Sequence, residues 1–264
     1  MMKEKEFDAL KERKAIVEWI RAWFEANGKG AGAVLGISGG KDSSVVAALL
    51  AEALGPERVT GVLMPRGVQP DIEDAKEVVR ALGIRSMEVN IGAAADEMCR
   101  CIRAAVNPLT GEPVEAQHAM SEDAKINLPP RLRMAVVYAV AQSLPGGGRV
   151  ANTCNASEDY VGYSTKYGDS AGDFAPIADL TVNEVLQIGA TFENLPQRLV
   201  KKAPSDGLCG LTDEDRFGFT YAVLDRYIRT GICEDKEVKA KIDRMHAANE
   251  HKLKVIPKYE RLNG

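Results

Sequence analysis

The sequence has little that would mark it for a membrane, a secretory route or a nucleic-acid surface. No stretch approaches the ~18 consecutive apolar residues that a membrane-spanning helix needs. The opening run Met1-Met2-Lys3-Glu4-Lys5-Glu6 lacks the apolar core of a signal peptide. A basic excess is missing too: 34 Lys+Arg stand against 38 Asp+Glu, a net charge of -4. General nucleic-acid coats use a large positive excess to displace counterions, so that class is disfavoured, while a local anion pocket is not. Cys99, Cys101, Cys154, Cys209 and Cys233 form no CxxC pair, which argues against a zinc ribbon or a disulfide scaffold and fits a reduced cytosol. The expectation is a cytoplasmic protein with no membrane and no nucleic-acid partner.

What is there is ordinary for a globular chain: 45% hydrophobic and 27% charged residues, which rules out a mostly disordered one. No repeat, low-complexity tract or linker divides it, so residues 1–264 read as one domain. Residues 3–27 read as an amphipathic helix carrying Leu10, Ile16, Val17, Ile20 and Phe24. A buried strand over 33–37, a helix over 42–54, a strand over 59–64, a helix over 71–82 and a strand over 85–89 follow. That alternation implies an α/β fold, a doubly wound parallel sheet flanked by helices on both faces. Residues 105–117 read as a mobile loop. Ser121 caps a helical stretch that Pro129-Pro130 interrupts, and the helix resumes over 131–143 with Met134, Val137, Tyr138 and Ala141 on its apolar face. Gly146-Gly147-Gly148 turns into a strand over 149–151. Residues 162–176, rich in Gly, Asp and Tyr, read as a functional loop. Thr181 with Glu184 and Thr212 with Asp215 mark helix starts, and the last helices cover about 214–230 and 235–250.

The densest signal is Gly36-Ile37-Ser38-Gly39-Gly40-Lys41-Asp42-Ser43-Ser44, between a strand and a helix. Glycines let the backbone approach an anion, and the N–H groups of a helix N-terminus cradle phosphate oxygens, with Ser38 and Ser43 adding hydroxyls. A Walker A loop needs Ser or Thr after Gly-Lys, but Asp42 follows Lys41; the dinucleotide fingerprint GxGxxG is absent as well. The run SGGxDS resembles the pyrophosphate loop of the N-type ATP pyrophosphatases, which cleave ATP between the α- and β-phosphates. Asp42 makes sense there as a magnesium ligand, since a bare carboxylate would repel a triphosphate.

Three later segments narrow the resemblance: Asn127-Leu128-Pro129-Pro130-Arg131-Leu132-Arg133-Met134, Gly162-Tyr163-Ser164-Thr165-Lys166-Tyr167-Gly168-Asp169, and Lys202-Ala203-Pro204-Ser205 ahead of Thr212-Asp213-Glu214-Asp215. With the glycine loop, these resemble ammonia-dependent NAD synthetases over nearly the whole chain. The resemblance implies the adenine nucleotide alpha-hydrolase-like fold, with ATP held by residues 36–43, Thr153 and Ser205, and Mg2+ held by Asp42 and Glu158. It implies deamido-NAD held by Arg131, His251 and Lys252, with Lys166 and Asp173 in a loop that closes over both substrates. It also implies a homodimer. Asp173 is the candidate for orienting or deprotonating the ammonium ion. His118 and His246, without a motif partner, read as surface histidines.

The implied reaction turns the nicotinate carboxylate into an adenylate, releases pyrophosphate, and lets ammonia displace AMP. Free ammonia is expected as the nitrogen source, because the strand feeding the ATP loop begins near Ala33 and leaves no room for a glutaminase before it. A tRNA thiolase of the same superfamily and a non-catalytic adenine-nucleotide sensor are the competing readings. Cys99-Arg100-Cys101 has the wrong spacing for the former, and a sensor has no need of two metal carboxylates. Two departures stand out. Val182 occupies the position of a phosphate-contacting lysine in the family, and Asn152 replaces the Gly of a Gly-Thr pair. Lys202, or less readily Lys201, is the expected source of the missing charge.

Overall fold

The computed structural model describes residues 7–69, 72–113, 120–201 and 212–261. Asp8 caps the first helix by accepting the Lys11 N–H, so α1 runs over Ala9–Asn27 and buries Ile16, Val17, Ile20 and Phe24. Leu10, expected on that face, is 57% exposed. The strand β1 (Gly32–Gly36) leads into α2 (Lys41–Leu54), which is buried along most of its length. β2 (Val59–Leu63), α3 (Ile72–Leu82), β3 (Arg85–Glu88) and α4 (Gly92–Arg103) follow.

Next comes α5 (Glu122–Ser143), which corrects the expected break: it continues through Pro129-Pro130. Two prolines remove two helical N–H groups, leaving the carbonyls of Lys125 and Ile126 without their usual partners. Ile126 is exposed and Lys125 only half-buried, so water can satisfy both. The chain then forms β4 (Gly148–Val150), α6 (Ala156–Val161), α7 (Val182–Ala190) and α8 (Gln197–Val200). The expected single helix over 214–230 is two helices, α9 (Asp213–Phe217) and α10 (Tyr221–Thr230), because Gly218 takes a left-handed conformation and ends the first. The last helix is α11 (Lys236–Leu253). Both expected helix starts carry complete capping boxes, Thr181 with Glu184 and Thr212 with Asp215. Of the expected loop over 105–117, Val106 pairs with Pro113 as an antiparallel bridge, and residues 114–119 lie outside the described residues.

The four strands form a parallel sheet in the order β3-β2-β1-β4. One layer of core packs α1, α2, α3 and α7 on one face of the sheet, through Phe24, Leu49, Val78 and Ile188. The other packs α5 through Val137 and Ala141 against Val34, Val62 and Val150. Helices on both faces make the sheet doubly wound, as expected. A third cluster joins α6, α7, α9, α10 and α11 around Leu224 and Ile242. Chain order reverses between β1 and β4, and ligands in such sheets bind outside the carboxyl ends of the strands at that point.

Candidate active site

Two loops leave the sheet at the reversal, one after β1 and one after β4. The first is residues 37–40. Gly39 has φ +81°, and a Cβ there would sit 2.8 Å from the Ala75 backbone nitrogen and from Asp74 Cβ, so the turn both needs glycine and is packed against α3. Gly40 is the N-cap of α2 and offers no side-chain cap, which leaves the first N–H groups of the helix to an anion. Ser38 Oγ and Ser43 Oγ lie 3.0 Å apart, the Gly40 N–H donates to Ser38 Oγ, and Ser44 Oγ donates to the Gly40 carbonyl. These bonds fix the loop before any ligand arrives. The glycine run is therefore a preformed cradle at an uncapped helix start, with a geometry open to an anion.

The second loop carries Asn152, Thr153, Cys154 and Asn155 into α6. Asn155 is fully buried and caps α6 by accepting the N–H groups of Ser157 and Glu158. Its amide donates to Asp42 Oδ1 at 3.0 Å. It thereby ties the two loops together. Between them sits the Lys41 ammonium, 2.8 Å from Asp42 Oδ2 and 3.3 Å from Glu158 Oε1. The Lys41 side chain is 4% exposed and its two partners 17% each. Burial and the neighbouring Asp42 push the Glu158 carboxyl up, against the pull of Lys41. Although burial opposes it, the two carboxylates together hold the Lys41 ammonium firmly charged. Asp42 and Glu158, paired by sequence reasoning, share the Lys41 ammonium; that reasoning missed Asn155, which an Asn followed by Ala-Ser-Glu-Asp could have signalled as an N-cap. Thr153, in the second loop, is half-buried.

Beyond α6 the chain enters residues 162–174. Gly162 has φ +69° and approaches α11 so closely that a Cβ would lie 2.1 Å from Asn249. Lys252 donates to the carbonyls of Gly162 and Ser164 at 2.7 and 3.0 Å. Lys166 donates to the His251 carbonyl at 2.8 Å, and Arg131 donates to the Lys166 carbonyl at 3.3 Å. Arg131, Lys166, His251 and Lys252 thus converge, tied through backbone carbonyls of His251, Lys166, Gly162 and Ser164. Tyr167, at φ +60°, is the one described non-glycine residue in the left-handed region.

Asp173 stands apart from Lys166. Its Oδ2 accepts the Val150 N–H at 2.8 Å and its Oδ1 the Tyr138 hydroxyl at 3.3 Å, while its own N–H donates to the Val150 carbonyl. It therefore pins the open edge of β4, and burial with Asp173 nearby pushes the Tyr138 phenol up to about 12. Asp173 and Lys252 line one cleft of about 360 Å³ with Asn152, Asp159 and Ser170. Asp159 was not foreseen; burial pushes its carboxyl up to about 6.

The other residues singled out by the sequence fall as follows. Val182 is buried with Phe217 and Tyr221, so its position carries no charge. Ser205 and Lys202 lie outside the described residues, as does His118, and Lys201 is exposed at the end of α8. His246 is no surface residue: it is half-buried, stacked 4.1 Å from Tyr160, with Nδ1 2.8 Å from the Tyr160 carbonyl. Among the described residues no group of three or more His, Cys, Asp or Glu side chains gathers to hold a metal, and no helix is long and apolar enough to cross a membrane.

A family profile described as NAD synthase matches residues 12–261. The NH(3)-dependent NAD(+) synthetase of Archaeoglobus fulgidus is 38% identical over 258 residues, covering 95% of this chain and 96% of that protein. The structure of an NMN synthetase from Francisella tularensis superposes with a TM-score of 0.83 at 29% identity, over 97% of this chain and 100% of the other. An NH3-dependent NAD synthetase from Campylobacter jejuni, solved with a nitrate ion, superposes at 0.73 with 25% identity over 97% and 100%.

Proposed function

The chain belongs to the NAD synthase family, and from that premise we propose that it amidates the nicotinate carboxylate of deamido-NAD with free ammonia. ATP is the co-substrate, and AMP and pyrophosphate are the other products. The observation that carries the reading is the meeting of Asp42 and Glu158 at Lys41, from the first turns of α2 and α6 on either side of the sheet reversal, beside an uncapped helix N-terminus. That arrangement suits a polyphosphate with a cation, and the adjoining cleft suits the acceptor.

A carboxylate is a poor acyl donor because its oxygen leaves badly. In the proposed sequence a carboxylate oxygen attacks the α-phosphorus, the bond to the β-phosphate oxygen breaks, and pyrophosphate departs. Ammonia then adds to the carbonyl carbon, and the C–O bond to AMP breaks. The protein's contributions are positioning and neutralisation of charge. The N–H groups at residues 39–41 and the Ser38 and Ser43 hydroxyls hold phosphate oxygens. Arg131, Lys166, His251 and Lys252 hold the acceptor, and Ser205 and Thr153 contact ATP. Asp173 orients the ammonium ion and receives its proton.

Magnesium belongs to this proposal, and the donor set fits it. Two carboxylates converge on one point that already carries a cation, and magnesium characteristically takes one or two carboxylates and completes its shell with phosphate oxygens and water. Asp42 and Glu158 would hold it. When bound it neutralises charge on the polyphosphate.

The reading also includes one functional unit over the chain, a cytoplasmic setting and a homodimer, the last supported by exposed Met98, Ile102 and Ile126 on the outward side of α4 and α5. Sedimentation at micromolar concentration should give twice the chain mass; a monomer in an active preparation contradicts it. A second reading, a mononucleotide acceptor, is favoured by the high superposition on an NMN synthetase. One assay separates the two: the purified chain with ATP, Mg2+ and ammonium, offered deamido-NAD or nicotinate mononucleotide. NAD, AMP and pyrophosphate in equal amounts from the dinucleotide are expected, and glutamine should not replace ammonium. Amidation of the mononucleotide alone would favour the second reading.

A further inference from the structure

The ammonium of Lys41 occupies the space between the two carboxylates on which a divalent cation would have to settle. Lys41 is also the first residue of α2, where the helix presents its positive end and a cation is unfavourable. Burial adds a second cost, with only 4% of the side chain exposed. What holds the ammonium there is the pair of carboxylates, helped by the face of Tyr221 with its centroid 5.8 Å from Nζ. An alkyl side chain could fill the same space without either cost.

We propose that Lys41 is a resident counter-ion of the Asp42–Glu158 pair, which keeps a divalent cation out of that pair until a polyphosphate arrives to take over the ammonium. A bare divalent ion entering alone would take both carboxylates and leave the displaced ammonium without a counter-charge, beside the ion and the positive end of the helix. A polyphosphate in the cradle of residues 38–43 changes that balance. Its oxygens accept from the Lys41 ammonium, and the freed carboxylate oxygens turn to the metal that arrives with it. Metal and nucleotide are then coupled in binding, each raising the affinity of the other. Lys41 in this way becomes the polyphosphate lysine of this chain, a charge that the buried Val182 does not supply. The second half of the inference rests on the proposed ATP-cleaving reading; the first half does not.

The test uses the full chain without nucleotide and Mn2+ as the probe, followed by the electron paramagnetic resonance of free Mn2+. Wild type should show no saturable binding in the millimolar range, whereas Lys41→Met should gain one site per chain, tighter by about tenfold or more. Lys41→Arg, which keeps the charge, should behave as wild type. Equal Mn2+ affinity in wild type and Lys41→Met would overturn the proposal. Should Lys41→Met fail to fold, the wild-type chain with 15N-labelled lysine reports directly, with the signal assigned by its loss in Lys41→Arg. The sheltered Lys41 ammonium resonance should stay in place with Mg2+ alone and move when Mg2+ is added with α,β-methylene-ATP. A shift with Mg2+ alone would overturn the proposal as well. Because the Mn2+ titration contains no nucleotide, it can fail while ATP is still cleaved to AMP, so the two readings fall separately.

Discussion

Around the N-terminus of α2 most hydrogen bonds join residues two to five positions apart: Gly40 to Ser38, Ser44 to Gly40, Ser38 to Ser43. Around residues 162–174 local bonds such as Thr165 to Asp169 are joined by far longer ones, 35 positions from Arg131 to Lys166, 85 from Lys166 to His251 and 90 from Lys252 to Gly162. The first region sits under a buried helix start; the second lies against the exposed end of α11. Local bonds form with little loss of chain entropy and make a cradle that exists before its ligand. Long-range bonds from lysine side chains to backbone carbonyls make a latch, which can part without unfolding anything. A site that must hold polyphosphate charge rigidly and yet admit and release a dinucleotide needs one of each.

The largest effects should come from the cradle. Asp42→Ala and Glu158→Ala should each lower pyrophosphate release by about a hundredfold or more, since the polyphosphate loses its cation partners. Far-ultraviolet circular dichroism should stay as in wild type, and unchanged turnover in either variant would break the assignment. Gly39→Ala comes next. The added Cβ meets the Ala75 backbone at 2.8 Å in a left-handed conformation, so stability to urea should fall by about 1–3 kcal/mol and the KM for ATP should rise.

The latch should give a smaller and differently shaped effect. Lys252→Met loses the bonds to Gly162 and Ser164 while keeping most of the apolar stem. Proteolysis within residues 162–174 should speed up by about tenfold, and the KM for deamido-NAD should rise more than that for ATP. Equal changes in both KM values would mean that the two regions do not divide the labour as described. The smallest effect is spectroscopic. Tyr138 ionises at about 12, raised by burial first and by Asp173 second. The unfolded phenol loses its proton near 10, so between pH 10 and 12 the unfolded chain is deprotonated while the folded one is not, and stability falls as pH rises through that window. Ultraviolet titration at 295 nm should show this tyrosine moving downward in Asp173→Asn.

The same contrast explains what was legible in the sequence. The strand, glycine turn and helix that make the cradle are consecutive, so Gly36 to Ser43 could be read as one object, and the capping boxes at Thr181 and Thr212 likewise depend on residues three apart. The burial of Lys41 was not legible, because it depends on Glu158, 117 positions away. Pro129-Pro130 read as a break because the rule concerns lost N–H groups, whereas the outcome depends on whether the freed carbonyls reach water. His246 read as surface because nothing adjacent reveals that Tyr160 stacks on it. Resemblance grouped Lys166, His251 and Lys252, yet the bonds that tie them to this loop run through carbonyls, which no residue identity encodes.

The central claim is that the cradle and the cleft together transfer AMP to a carboxylate before ammonia enters. Deamido-NAD labelled with 18O in both carboxylate oxygens tests it most directly, incubated with the purified chain, ATP, Mg2+ and ammonium and analysed by mass spectrometry. The account predicts one 18O in each AMP formed and one retained in the amide of NAD. AMP without label, or label in ADP or inorganic phosphate, would contradict it.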